Sequence, residues 1–221
     1  MTLLIGLRAK DGVVVGADRK VMRGGEPQFS NKIHTLQDVT YATEELTGVA
    51  DDFLHLFEQA ALSKKGFTAL YDARLLAEDI ISELHQRYSE RLHEGQTVGL
   101  VMAGLENLNS GPAKLYYIYP QGYGEAVTFM CTGSGGPYAT TLAKFLHDED
   151  ATVEENAKRI AFVIAWVSEK VDAFVGGTPQ IAMIRDGNPT VAWLDQSDID
   201  QQSANVDASR KQLWKRLLDS H

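Results

Sequence analysis

The order in which strand-like and helix-like runs follow one another leaves this chain few architectures. Residues 3–8 and 13–18 are β-rich runs joined by Lys10-Asp11-Gly12, a strong hairpin signal. A Gly/Pro-containing segment at 22–28 reads as a loop, and 32–36 and 39–44 predict a second hairpin. Helical spacing follows at 51–64, where Phe53, Leu54, Phe57 and Ala61 share one face and Asp51 is placed to cap the start. A longer helix is predicted at 72–93, with Leu75, Leu76, Ile80, Leu84 and Tyr88 as its stripe. Then come β-runs at 97–106, 113–119 and 125–132, helices at 137–147 and 153–174, and strands at 180–185 and 190–194. An acidic, polar stretch at 195–207 leads into a final amphipathic helix, so that 195–221 reads as a tail and helix. Strands, two helices, strands, two helices, strands, without a linker or repeat, predict one α+β domain over 1–221. The expected form is a four-layer αββα sandwich: two antiparallel sheets face to face, helices on both outer surfaces. A doubly wound parallel sheet fits less well, because it needs helices alternating with strands.

Composition narrows the function. A chain of 221 residues, 44% hydrophobic and 23% charged, can bury a substantial core, and its net charge of −9 opposes a dedicated surface for nucleic acid or anionic membrane. No apolar run approaches the roughly 18 residues of a membrane span, and the first residues lack the basic-then-apolar plan of a signal peptide. Both predict a cytoplasmic protein. The single Cys131 has no CxxC partner and reads as a strand residue rather than a catalytic thiol. The six histidines are scattered without an HExxH pair, and the GSGG loop lacks the Lys-Ser/Thr of a phosphate loop, so neither metal nor cofactor is predicted. Trp214, Leu217 and Leu218 form the packing face of the last helix.

Five short blocks occur in order: the opening MTLLIGLRAKDGVVVGAD, then NKI, TGVADD, TGSGGPYA and VDAFVGGTPQIAMI. Together they resemble the proteasome β-type subunits, which are N-terminal nucleophile (Ntn) hydrolases. The resemblance implies that Met1 is removed, leaving Thr2 as first residue and nucleophile. A free α-amine has a pKa near 7.7–8.0, suited to accept the hydroxyl proton, so one residue would supply both nucleophile and base. It further implies that Asp18 holds Lys32, whose cation stabilises charge developing on the hydroxyl, and that the Gly48 N–H faces the substrate carbonyl as an oxyanion donor. Ser134 and Asp172 are expected behind the threonine amine, and Leu46 at the floor of the pocket for the side chain preceding the cut bond. The segment 19–31 is slightly shorter than in the family, which makes His34 a competitor to Lys32. One departure stands out: active members of the family usually place a serine three residues after the aspartate, where this chain has Val175.

The implied activity is a threonine-type endopeptidase acting through an ester on Thr2, with peptides or unfolded proteins as substrate. Interception of the same ester by an amine would make the chain a peptide ligase, and a non-catalytic subunit on the same fold is the rival from another class. The implied partners are further copies in a homo-oligomeric ring, other proteasome-like subunits and an ATP-dependent unfoldase, with no nucleic acid and no membrane.

Overall fold

The computed structural model describes residues 2–44, 47–63, 66–88, 98–148 and 150–219. Strands β1 (Leu4–Ala9) and β2 (Gly12–Ala17) form the first hairpin, β3 (Lys20–Arg23) and β4 (Glu26–Phe29) a second, and β5 (Ile33–Leu36) and β6 (Val39–Thr43) a third. Helices α1 (Thr47–Ser63) and α2 (Leu70–Tyr88) precede β7 (Leu100–Leu105), β8 (Ala113–Ile118), β9 (Gly124–Ala126) and β10 (Phe129–Thr132). Helices α3 (Gly136–Leu146) and α4 (Val153–Lys170), strands β11 (Gln180–Arg185) and β12 (Ala192–Trp193) and helix α5 (Gln196–Asp219) complete the order.

Two five-stranded sheets result, β10-β1-β2-β11-β12 and β5-β6-β7-β8-β9, with every pairing antiparallel. Alternate residues of each strand enter different apolar layers, as the period of two requires. Leu3, Ile5 and Leu7 pack with Val14, Ile181 and Met183 beneath α3 and α4, while Leu4, Val13, Val15 and Ala182 face the other sheet. On the second sheet Val101, Ala103 and Leu105 turn toward the first, and Leu100 and Met102 turn toward α1 and α2. Three apolar layers between four structural layers make the αββα sandwich that the element order predicts.

Several elements differ from the sequence reading, each for a local reason. The 22–28 loop is the turn of the β3–β4 hairpin: Gly24 and Gly25 both have positive φ, +61° and +86°, as a two-residue hairpin turn of this hand demands. Helix α1 starts at Thr47, so Asp51 lies within it, exposed, 3.8 Å from Arg23, and does not cap it. On α2 the carboxylate of Asp72 accepts from the backbone N–H of Thr68 and Ala69, which fixes the start at Leu70; Leu75 is exposed, and Ala73, Ala77 and Ile81 complete the buried stripe instead. The run at 125–132 is two strands in two sheets, for β9 pairs with β8 and β10 with β1. Helix α4 begins with a capping box between Thr152 and Glu155, worth about 1 kcal/mol, and ends at Lys170 rather than 174. Helix α5 already includes 196–207, where Asp198 and Asp207 reach Lys158 and Lys170 of α4. The side chains of Trp214, Leu217 and Leu218 lie outside the described ones, as does the structure of 89–97.

Candidate active site

The β1–β2 register pairs Leu4 with Ala17, which brings the residues just outside the ladder, Leu3 and Asp18, together. The Leu3 N–H donates to Asp18 Oδ1 at 2.9 Å, and the Asp18 N–H returns to the Leu3 carbonyl at 3.1 Å. Asp18 has no exposed surface. A carboxylate so placed is tolerable only if its lone pairs are met. Oδ1 takes the Leu3 N–H and the Lys32 ammonium at 2.7 Å; Oδ2 takes the Lys20 N–H at 3.1 Å and the Gly176 N–H at 3.0 Å.

Lys32, 3% exposed, is equally saturated. Its Nζ donates to Asp18 Oδ1, to the Lys20 carbonyl at 2.7 Å and to the hydroxyl of Thr2. Three acceptors match the three N–H bonds of an ammonium. The Lys32 N–H and, less closely, the Ile33 N–H donate to Gln180 Oε1, at 2.7 and 3.4 Å.

Thr2 is buried, and its carbonyl accepts the Gly135 N–H at 3.2 Å. Gly133 makes this closeness possible: it sits at φ +84°, and a Cβ there would stand 2.2 Å from the Thr2 oxygen. The arrangement is a hydroxyl with a buried, charge-balanced ammonium directed at it. Such a donor stabilises negative charge developing on that oxygen, which is what nucleophilic attack produces.

A family model described as "Proteasome subunit" matches residues 2–184. The chain belongs to the proteasome subunit family. A proteasome subunit beta of Halobacterium salinarum is 23% identical over 194 residues, covering 86% of this chain and 76% of that one. A proteasome subunit beta 2 of Desulfurococcus amylolyticus is 26% identical over 188 residues, covering 84% and 89%. Among solved structures, Anbu, an ancestral beta-subunit from Yersinia bercovieri, superposes with a TM-score of 0.82 at 12% identity over 96% of each chain. The αββα sandwich is therefore the Ntn hydrolase fold of proteasome-like proteins.

Among the other residues singled out in the sequence of this proteasome-family chain, Ser134 stands between Gly133 and Gly135, which both meet the Thr2 carbonyl. Gly48 is exposed at the second position of α1, where an amide has no acceptor within its own helix and the helix dipole favours negative charge. Ser134 lies exposed in the turn before α3, and its hydroxyl makes no hydrogen bond among the described residues. The carboxylate of Asp172 accepts the Phe174 N–H at 2.9 Å, shaping the turn after α4. Val175, 2% exposed, belongs to the apolar layer beneath α3 and α4, and a Cβ on Gly135 would touch its Cγ2 at 2.8 Å, so an aliphatic group fills the place where the resemblance leads one to expect a hydroxyl. Leu46 lies outside the described residues.

His34, the competitor of Lys32, stacks on Tyr41 at 5.7 Å on the α1 side, and burial lowers its pKa by disfavouring the cation. Cys131 is half-buried on β10, where burial pushes its thiol up to about 12. Among the described residues, no cluster of His, Cys, Asp or Glu could hold a metal, and no helix is long and apolar enough to cross a membrane. Sequence reasoning missed Gln180, the Lys20 carbonyl and the Gly176 N–H. Their contributions run through backbone groups or to backbone groups, and residue identity advertises none of that.

Proposed function

We propose that this subunit is a threonine-type peptidase in which Thr2, exposed as the first residue by removal of Met1, attacks peptide carbonyls. The observation that carries the reading is the ammonium of Lys32, buried and held by Asp18, donating to the Thr2 hydroxyl. In the reaction, Oγ1 forms a bond to the carbonyl carbon while its proton moves to the free α-amine. The oxyanion so formed takes the Gly48 N–H at the start of α1. Collapse breaks the C–N bond, the amine's proton passes to the leaving nitrogen, and an ester to Thr2 remains. Water, deprotonated by the same amine, hydrolyses that ester and restores the enzyme. Lys32 serves both additions by offsetting charge near Oγ1. From the resemblance alone, a Leu at position 46 implies that apolar side chains precede the cut bond and that charged ones are rejected for want of a partner. Further copies close a ring around the site in the cytoplasm, and an unfoldase supplies extended chains.

A non-catalytic subunit is the second reading, and Val175 favours it, because an aliphatic side chain stands where a hydroxyl supporting the amine is expected. Intact mass and active-site labelling decide between them. The peptidase reading expects a mass lacking Met1, a single β-lactone or epoxyketone adduct mapped to Thr2, and hydrolysis of a Leu-terminated reporter peptide that Thr2→Ala abolishes. Equal hydrolysis by protein that retains Met1 would falsify it. Processed protein that neither labels nor hydrolyses would establish the non-catalytic subunit.

A further inference from the structure

Lys32 is the critical group with the least support from its own sheet. It follows the β3–β4 hairpin, whose second strand is exposed at every residue, and it immediately precedes β5. That strand is an edge of its sheet, and its ladder to β6 begins only at Ile33 opposite Ala42. The Lys32 N–H therefore lies outside the ladder. Its acceptor comes from the other sheet: Gln180, the first residue of β11, which pairs with Ala17 next to Asp18. Both groups facing this end of the side chain are N–H donors, so it must present its carbonyl oxygen there.

We infer that Gln180 is a positioning residue for the proposed reaction, fixing the main chain of Lys32 to the sheet that carries Thr2 and so setting the distance from the ammonium to the nucleophile. The inference rests on the peptidase reading. Through Ala17 and Asp18 on one side and Gln180 on the other, Lys32 is held at both its Nζ and its N–H by the β1–β2–β11 framework rather than by its own strand. Without the Gln180 oxygen, the backbone end is free to relax outward with the exposed hairpin while Asp18 still holds the tip. The ammonium then meets Thr2 Oγ1 at the wrong distance or angle, and misplacements near 1 Å cost about 100-fold in rate.

The test compares Gln180→Met, which keeps length and volume but removes the acceptor, with Gln180→Glu, which keeps an acceptor oxygen. In protein that hydrolyses peptide and labels at Thr2, Gln180→Met is expected to lower kcat by about 10- to 100-fold with KM within about twofold, and Gln180→Glu to recover most of the loss. Amide hydrogen exchange over residues 30–36 supplies a readout independent of activity. Protection at Lys32 and Ile33 should fall in the Met variant and return in the Glu variant, while exchange in the β1–β2 hairpin stays unchanged. The inference is overturned by a Met variant with wild-type kcat, by equal impairment of both variants, or by unchanged protection at Lys32. If the parent protein never labels at Thr2, the peptidase reading fails and the catalytic role of Gln180 with it; lost protection in the Met variant would then show that the tether itself still exists.

Discussion

Replacing Lys32 by Met keeps the aliphatic stem and removes the ammonium, leaving Asp18 as an isolated charge with no exposed surface. Three backbone donors remain on that carboxylate, from Leu3, Lys20 and Gly176, while the Lys20 carbonyl loses the ammonium. Stranding one member of a buried pair costs about 3–5 kcal/mol, and the surviving N–H donors put the expected loss near the lower end, about 3 kcal/mol. Asp18→Asn alone is also costly, since either orientation of its amide sets an NH2 against backbone donors. Combined with Lys32→Met, however, it removes the stranded charge, so the double variant should be no less stable than the worse single one. The coupling energy is therefore expected at about 2–3 kcal/mol, in the upper range for residues in direct contact. Urea unfolding followed by circular dichroism measures all four proteins, at one fixed subunit concentration because association adds to apparent stability. Penalties that add to within about 0.5 kcal/mol would refute the buried, mutually dependent pair.

Gly133→Ala should lose both stability and Thr2 labelling, because the new methyl would fall 2.2 Å from the Thr2 oxygen at φ +84°; melting temperature and probe incorporation report the two losses together. Glu44 donates nothing when ionised, accepts from Tyr117 at 2.9 Å, and has its pKa raised by burial. An acid with a raised folded-state pKa costs stability as pH climbs from its ordinary value through the raised one, so Glu44→Gln should match the parent near pH 4 and gain on it toward pH 8, as read from urea midpoints. Thr2→Ser should retain hydrolysis at a reduced rate, since only the methyl that restricts the side-chain rotamer is lost. Steady-state turnover of the processed protein checks it, and activity equal to Thr2→Ala would count against the hydroxyl as nucleophile.

The layers and most of the elements were legible because strand alternation and helical stripes record which side faces apolar neighbours. Asp18 could be placed beside the start of the chain for the same reason: a tight hairpin at Asp11-Gly12 returns the second strand to where the first began. The β3–β4 hairpin was not legible. Its second strand is exposed throughout, so no alternation marks it, and only the Gly24-Gly25 pair betrays the turn. The switch of sheet between β9 and β10 was hidden because 125–132 reads as one β-rich run, whereas the break is made by tertiary pairing, with Val127 bonded to Leu115 and Thr128 to Arg8. The early start of α5 was masked by a polar composition whose partners, Lys158 and Lys170, lie on another helix. At the site, Lys32 could be singled out through NKI, yet its dependence on Gln180 could not, because a glutamine bonded to backbone amides leaves no pattern of paired residue types.

Four groups close on the Asp18 carboxylate, and they enter the chain at very different times. Leu3, Lys20 and Lys32 are within the first small part of the sequence, but Gly176 is 158 positions beyond Asp18, and Gln180 follows Lys32 by 148. At synthesis rates of roughly 5–20 residues per second, the interval is on the order of 10–30 s. During that time the first hairpin can already exist, with the Asp18 carboxylate still lacking the Gly176 N–H and the Lys32 main chain still lacking the Gln180 oxygen. Long-range closures of this kind also form late in refolding, because chain entropy must be overcome before they reward it. A half-made or half-folded subunit thus carries Thr2 beside an Asp18–Lys32 pair that lacks its two late contacts, and the arrival of the segment that ends in β11 is the step that completes the pair.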